Sequence, residues 1–342
     1  MTQGGDGPAL RSLIASAARP ADARIATVRK EGPAVYWTAF DEAGERLAIA
    51  DVDGALVIHD GVSNAELRRL SLGDHRVSRL AWLDGDLIVV DKNELRRLSD
   101  RGEPRWSHPA HDRAVLGFAL AGERILTGSV GGDARIWNLD GGLVAQLSGH
   151  DKAVVGAALS ADGRFAATGS RDLTARLYGL DDGAERWVAK GFAHAVEHLA
   201  FSPDGSRLLL ASKGDLRLLD VATGDEIARL AGHDHSLRVA RYLGPEVIVT
   251  AGYDNVGRLW RAEDGKLLTT FGGHEDFARG GTFTPAAIMD VALSGDGQAL
   301  VTRGSDATVR LWDVGTGRAL TPLPGHAITP GSIAVPPVSG EI

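Results

Sequence analysis

The chain has 342 residues, of which 44% are apolar, 6% aromatic and 44 glycine, a composition that can bury a core but favours many tight turns over long helices. Its formal charge of −8, from 37 basic and 45 acidic residues, excludes the basic excess with which proteins neutralise nucleic-acid phosphates. The lack of cysteine excludes disulfides and thiolate metal sites; with no apolar run near the roughly 18 residues of a membrane span and no secretory-type apolar core, a cytoplasmic location without membrane insertion is expected.

Residues 1–23 read as an N-terminal tail. Leu10, Leu13, Ile14 and Ala17 recur at helical spacing before Pro20 and predict a short amphipathic helix there. A β-type segment over 24–29 opens the main body, assigned to 24–335, and 336–342 form a C-terminal tail. Within the body one unit recurs. Its closing position falls at His59, Ser99, Trp137, Tyr178, Leu219, Trp260 and Trp312, at intervals of 38 to 41 residues before a last interval of 52; self-similarity at a period of about 40 signals a repeat architecture.

Each unit predicts four short strands; in the fourth they span 153–160, 164–169, 174–179 and 184–189. Asp162-Gly163, Asp204-Gly205 and Asp296-Gly297 divide first from second strands, and Asp182-Gly183, Asp264-Gly265 and Thr316-Gly317 divide third from fourth. Glycine there supplies the positive φ that tight hairpins need. Apolar positions on first strands (Val154, Ala158, Val291, Leu293) and third strands (Ile136, Leu177, Leu259, Leu311) are expected to bury between neighbouring sheets.

Four residue types recur together with these strands. His274, Thr302, Asp306 and Trp312 form one set and His233, Thr250, Asp254 and Trp260 another, with Thr ten and Asp six residues before Trp. His150, Thr168, Asp172 and Tyr178 repeat the pattern with Tyr for Trp. On these residues the chain, from 24 to 326, resembles the WD-repeat β-propeller family, in which each repeat supplies one four-stranded blade. The resemblance implies an all-β, seven-bladed propeller of antiparallel blades, closed where the termini meet at the last blade, with an incomplete eighth blade as the alternative. It also implies that the four residues form a buried hydrogen-bonded tetrad. Trp only donates, ionised Asp only accepts and His does one at each ring nitrogen, so such a chain can close on itself away from water. Departures predict softer blades: Gly131 stands at the Asp position before Trp137, Leu219 replaces Trp, the second unit keeps little beyond His75, and the first has Asp53 but His59.

No Gly-x-Ser-x-Gly elbow or phosphate-binding Gly-x-x-x-x-Gly-Lys-Ser/Thr loop occurs, and seven of the eleven histidines occupy the repeat position. No catalytic residue, metal or cofactor is therefore assigned. The resemblance implies instead that a protein or peptide docks on the face carrying the loops into first strands and the turns between second and third strands. Positions near the start of first strands give Tyr36, Leu116, Val155, Arg238 and Met289, with Ser78 and Glu197; the residue before the tetrad Asp gives Arg171 and Tyr253, with Val52, Val130 and Ser305. Tyr, Arg and Met are types enriched at interface cores, and Tyr36, Leu116, Val155 and Met289 are expected to form an exposed apolar patch. The last unit is lengthened over 275–286, where Phe277, Arg279 and Phe283 surround Gly280-Gly281; long loops on rigid scaffolds often carry function. The function expected is a non-catalytic interaction platform. The alternatives are an enzyme or small-ligand binder using the central channel, or a purely structural subunit.

Overall fold

Apolar runs about six residues long, each ended by a turn pair, allow one strand and no more before the chain reverses. The computed structural model describes residues 35–320 apart from 42, 52, 53, 62, 64, 73–76, 275, 276, 280, 281, 285, 294–298 and 307. The expected N-terminal helix, the 24–29 strand, and Val52, Asp53, His75 and Asp296-Gly297 fall outside these residues. Consecutive strands pair into six four-stranded antiparallel sheets, over 35–71, 77–109, 115–147, 154–189, 198–229 and 237–272, and a seventh over 288–313 with three strands. These are blades 1 to 7 of an all-β, seven-bladed propeller, as expected. In blade 7 Trp312 bridges Ala319 and the Leu320 N–H donates to the Leu311 carbonyl, the beginning of the fourth strand anticipated from Gly317.

The second strands show why the blades must stack. Asp86–Asp91 and Val247–Gly252 are buried at every position, so both faces of each sheet need a cover. Among the described residues, six apolar clusters each join two consecutive blades, from blades 1 and 2 through to blades 6 and 7. Val154, Ile136, Leu177, Ala158, Leu259 and Val291 lie in them, as the pattern predicts, and Leu293 packs against the last; Leu311 is half-buried. Each fully buried Leu or Val contributes about 1.5–3 kcal/mol, so the seams between blades carry most of the fold's apolar stabilisation. Indole nitrogens add directional ties across them. Trp82 donates to the Ala39 carbonyl, Trp106 to Leu139 and Trp187 to Val221, each at 2.9 Å.

Two bulges recur from blade to blade and set side-chain directions. Near the start of six first strands one residue is left out of the pairing: Tyr36, Ser78, Leu116, Val155, Arg238 and Met289. A bulge re-aims the extra side chain and tightens the local twist. The second bulge falls just before the closing position of six third strands, ahead of His59, Leu98, Trp137, Tyr178, Leu219 and Trp260. In blade 2 the closing residue is thus Leu98, paired with Leu87, and not Ser99, which lies beyond the strand end at Leu98. Ser99 instead caps the following turn, accepting from the Arg101 and Glu103 N–H groups.

The lengthened segment of the last unit forms a two-stranded ribbon, Phe277–Arg279 with Thr282–Thr284, in which Phe277 stands opposite Thr284 and Ala278 opposite Phe283. Among the described residues no helix is long and apolar enough to cross a membrane.

Candidate functional site

Antiparallel pairing puts the turns between second and third strands at the same end of every blade as the loops that enter the next first strand. At that end lie both the tetrads and the residues expected to meet a partner. Blade 6 holds its tetrad as expected: the Trp260 indole donates to Thr250 Oγ1 at 2.8 Å, Thr250 meets His233 Nε2 at 2.7 Å, and His233 Nδ1 meets Asp254 at 2.7 Å. In blade 7 Trp312 reaches Thr302 at 2.8 Å, Thr302 reaches His274 Nε2 at 2.7 Å, and His274 Nδ1 reaches Asp306 at 3.0 Å.

Blade 4 keeps only part of the set. His150 contacts Thr168 at 2.8 Å and Asp172 at 2.7 Å, but the Tyr178 hydroxyl donates to the Ser148 carbonyl at 3.0 Å. The phenol extends its polar atom further from the strand than an indole does, so it ties the loop before His150.

Blade 3 overturns the expectation of a missing acid. Trp137 donates to Thr127 at 2.8 Å, Thr127 meets His111 Nε2 at 2.8 Å, and His111 Nδ1 meets Asp133 at 2.6 Å. The carboxylate stands four residues before Trp instead of six, because the turn passes through Gly131 and Gly132, the latter at φ 94°. Asp133 fills the position held by Thr174 in blade 4, and the pattern of fixed spacing passes over it. Since Trp only donates and a carboxylate only accepts, the proton order runs Trp N–H to Thr oxygen, Thr O–H to Nε2, and Nδ1–H to Asp. That order requires a neutral imidazole.

Blades 2 and 5 lack the tetrad and fix the same turn differently. Asp91 pairs with Glu94 and Ser212 with Asp215 around two-residue hairpins, with Lys92 at φ 50° and Lys213 at φ 35°. Tight turns thus take the tetrad's place in these two blades.

A further set escaped the motif reading although the sequence shows it: an arginine two residues before the closing position of third strands. Arg135 donates to the Ala110 carbonyl at 2.6 Å, Arg217 to Lys190 at 2.8 Å, Arg258 to Gly232 at 2.7 Å and Arg310 to Gly273 at 2.5 Å. In blades 3, 6 and 7 that carbonyl belongs to the residue just before the tetrad His, so the arginine clamps the loop whose side chain the tetrad holds. Arg258 also pairs with Asp254 at 2.7 Å.

Burial first, opposed by the Asp hydrogen bond and charge, holds the His111, His150 and His274 rings below the ordinary imidazole pKa. Burial pushes Asp254 up, but hydrogen bonds from His233 and Arg258 and the His233 charge outweigh it and bring its pKa down to about 2. Both directions carry the same sign. A depressed folded pKa contributes stability above the unfolded value that is lost as pH falls through the folded one. We therefore expect the urea midpoint to be level above pH ~6.5, the unfolded histidine value, and to fall steadily below it. A midpoint unchanged between pH 7.5 and 5 would contradict the neutral-histidine network.

The expected partner-contacting residues divide by exposure. Arg171, Arg238 and Tyr253 are exposed, Tyr253 at 46%. Leu116, Val155 and Met289 are half-buried, which corrects the expectation of an open apolar ring. The side chains of Tyr36, Phe277, Arg279 and Phe283 lie outside the described residues. No group of three or more His, Cys, Asp or Glu that could hold a metal occurs among the described residues.

A family model for the WD domain, G-beta repeat matches residues 141–179 and 265–313, each match running from an outermost strand into the third strand of the next blade. The chain is 31% identical over 161 residues to the nuclear distribution protein PAC1 of Arthroderma otae, covering 43% of this chain and 33% of that protein. It is 27% identical over 311 residues to the human angio-associated migratory cell protein, covering 82% of this chain and 68% of that one. The chain thus spans about a third of the length of the fungal relative. A crystal structure of the computationally designed Ika8 protein shares the fold, with TM-score 0.77 and 20% identity over 90% of this chain and 92% of that chain. With two repeats matched by the WD-domain model, its tetrads and its ring of seven blades, the chain is similar to the WD-repeat β-propeller family.

Proposed function

We propose that this propeller is a non-catalytic platform that holds a protein or peptide partner on the face carrying the second-to-third-strand turns, with Arg171, Arg238 and Tyr253 among the contacts. The observation that carries the reading is the repeated bulge. Six blades place an extra residue near the same end of the innermost strand, and in blade 6 that residue, Arg238, is exposed beside the turn bearing Tyr253, whose N–H donates to the Ser236 carbonyl. Tetrads and arginine clamps make these turns rigid, so little ordering entropy opposes binding. The ribbon over 277–284 follows His274 and leaves the same end of blade 7. His111, His150, His233 and His274 each have both ring nitrogens engaged with a tetrad partner, which argues against their use as acids or bases. The relatives are named for nuclear distribution and cell migration, not for a reaction.

Replacing Tyr253 and Arg238 together with alanine is expected to weaken capture of the partner from native extract at least tenfold, since exposed Tyr and Arg are typical anchors. Stability should change by no more than about 0.5 kcal/mol, because neither residue is buried. Equal loss of binding and of melting temperature would reject the assignment.

A further inference from the structure

The two faces of the ring differ in charge. On the tetrad face, Lys92 and Lys213 stand at the tips of two-residue hairpins, Arg113, Lys152 and Lys190 on loops entering first strands, Arg171 in the blade 4 turn and Arg238 on the blade 6 bulge. All are exposed, and among the described residues none has a side-chain hydrogen bond or ion pair. Among the described residues the exposed carboxylates there are fewer: Asp112, Asp151, Glu197 and Asp234, the last engaged with His235 at 2.7 Å. The opposite face has the reverse balance. Its first-to-second-strand turns expose Asp84, Glu123, Asp162, Asp204 and Glu246, and its third-to-fourth-strand turns expose Glu103, Asp140, Asp182, Asp225 and Asp264. Among its described residues, a chain of net charge −8 therefore presents a cationic face against an acidic one.

Apolar surface is interleaved with those cations. Val130 and Leu173 are 38% exposed and Tyr253 46%, and all three lie in second-to-third-strand turns of the cationic face. Arg171 and Leu173 flank Asp172 in a single turn. Arg303 adds an unusual feature. It holds the place that Gly128 and Gly169 hold in blades 3 and 4, where even a Cβ would fall 2.3 Å from Val154 or 2.4 Å from the Val196 carbonyl. It is buried, and its Nε has no hydrogen-bond partner among the described residues. Burial lowers its pKa, Asp290 opposite it on the neighbouring strand counters this, and the like charge of Arg238 adds to the lowering.

We propose that this face recognises an acidic polypeptide segment in which apolar side chains alternate with carboxylates. The inference rests on the platform reading above and names the partner's chemistry. Complementary charge steers such a segment to the face, while Val130, Leu173 and Tyr253 supply apolar contact. A nucleic acid fits less well: carboxylates stand among the cations, and the whole chain repels a polyanion.

The test is selection from a random peptide display library on the full chain, with fluorescence anisotropy of the winning peptides on the parent, on Arg171→Glu/Arg238→Glu, and on a second variant, Lys152→Glu/Lys190→Glu, in case the first does not fold. The expected result is net-acidic, apolar-containing peptides whose affinity drops at least tenfold in either variant and falls as salt rises. Neutral or basic peptides that lose affinity in the variants would overturn the acidic preference and leave the platform standing. Peptides indifferent to both variants, or no enriched peptides at all, would overturn both readings. Binding of a single-stranded oligonucleotide of equal charge at least as tightly as the acidic peptides would also reject the proposal.

Discussion

Trp260→Ala is expected to lower the free energy of unfolding by about 3–5 kcal/mol, the range for deleting a large buried aromatic. Trp260 is 2% exposed and sits in the seam between blades 5 and 6 with Leu209, Leu218, Leu237 and Ile248. Its removal leaves a cavity and takes from Thr250 the indole that donates to it at 2.8 Å. Trp260→Phe separates these effects. It keeps most of the ring volume and loses the donor, so its cost should be nearer the ~0.5–1.5 kcal/mol of one hydrogen bond. Tyr178→Phe offers an internal comparison, because the Tyr178 hydroxyl donates to a loop carbonyl where Trp260 donates to the tetrad threonine. It should cost no more than Trp260→Phe. Urea denaturation of the three variants checks the order; equal costs for Trp260→Ala and Trp260→Phe would mean that packing in this seam contributes little.

The strands, the seven-fold repeat and the tetrads of blades 6 and 7 were legible because each depends on local spacing: six residues from Asp254 to Trp260 and again from Asp306 to Trp312. Asp133 was not, because in a turn of unchanged length the acid stands two residues later, after Gly131 and Gly132, and still reaches the tetrad histidine. Leu98 was missed because the two-residue hairpin between Asp91 and Glu94 shortens the spacing between second and third strands by one, and only its pairing with Leu87 identifies it. The third-strand arginines were visible as a repeat, at Arg135, Arg176, Arg217, Arg258 and Arg310, but nothing local says that Arg176 pairs with Glu185 while the other four reach carbonyls 25 to 37 residues earlier. Exposure at the candidate face was legible only in part. Arg171, Arg238 and Tyr253 follow from position in the repeat, whereas the half-burial of Leu116, Val155 and Met289 does not. The same holds for charge: the composition reports −8, and only the topology sorts cations to one end of the blades and carboxylates to the other.

Gly224→Ala should be as damaging as the loss of Trp260, for a different reason. Gly224 lies in the turn between the third and fourth strands of blade 5 at φ 78°, a left-handed conformation that costs an L side chain about 1–2 kcal/mol. A Cβ there would also fall 2.9 Å from Cγ of Trp187, the outer-strand tryptophan of blade 4 whose indole is tied to the Val221 carbonyl at 2.9 Å. The ring cannot retreat without breaking that bond, so overpacking adds about 1–3 kcal/mol. Gly163 supplies the control. At φ 71° it shares the backbone conformation, but nothing lies within 4 Å of its Cβ position, so Gly163→Ala should cost only the backbone part. Trp187→Leu in the Gly224→Ala background should recover some of the overpacking cost, appearing as a coupling of about 0.5–3 kcal/mol in a double-mutant cycle. Equal losses for Gly224→Ala and Gly163→Ala, or strict additivity with Trp187→Leu, would show that the tryptophan does not clasp blade 5 through this glycine. Trp106 makes the corresponding bond to Leu139 and stands 3.0 Å from the Cβ position of Gly141, so Gly141→Ala should reproduce the result between blades 2 and 3.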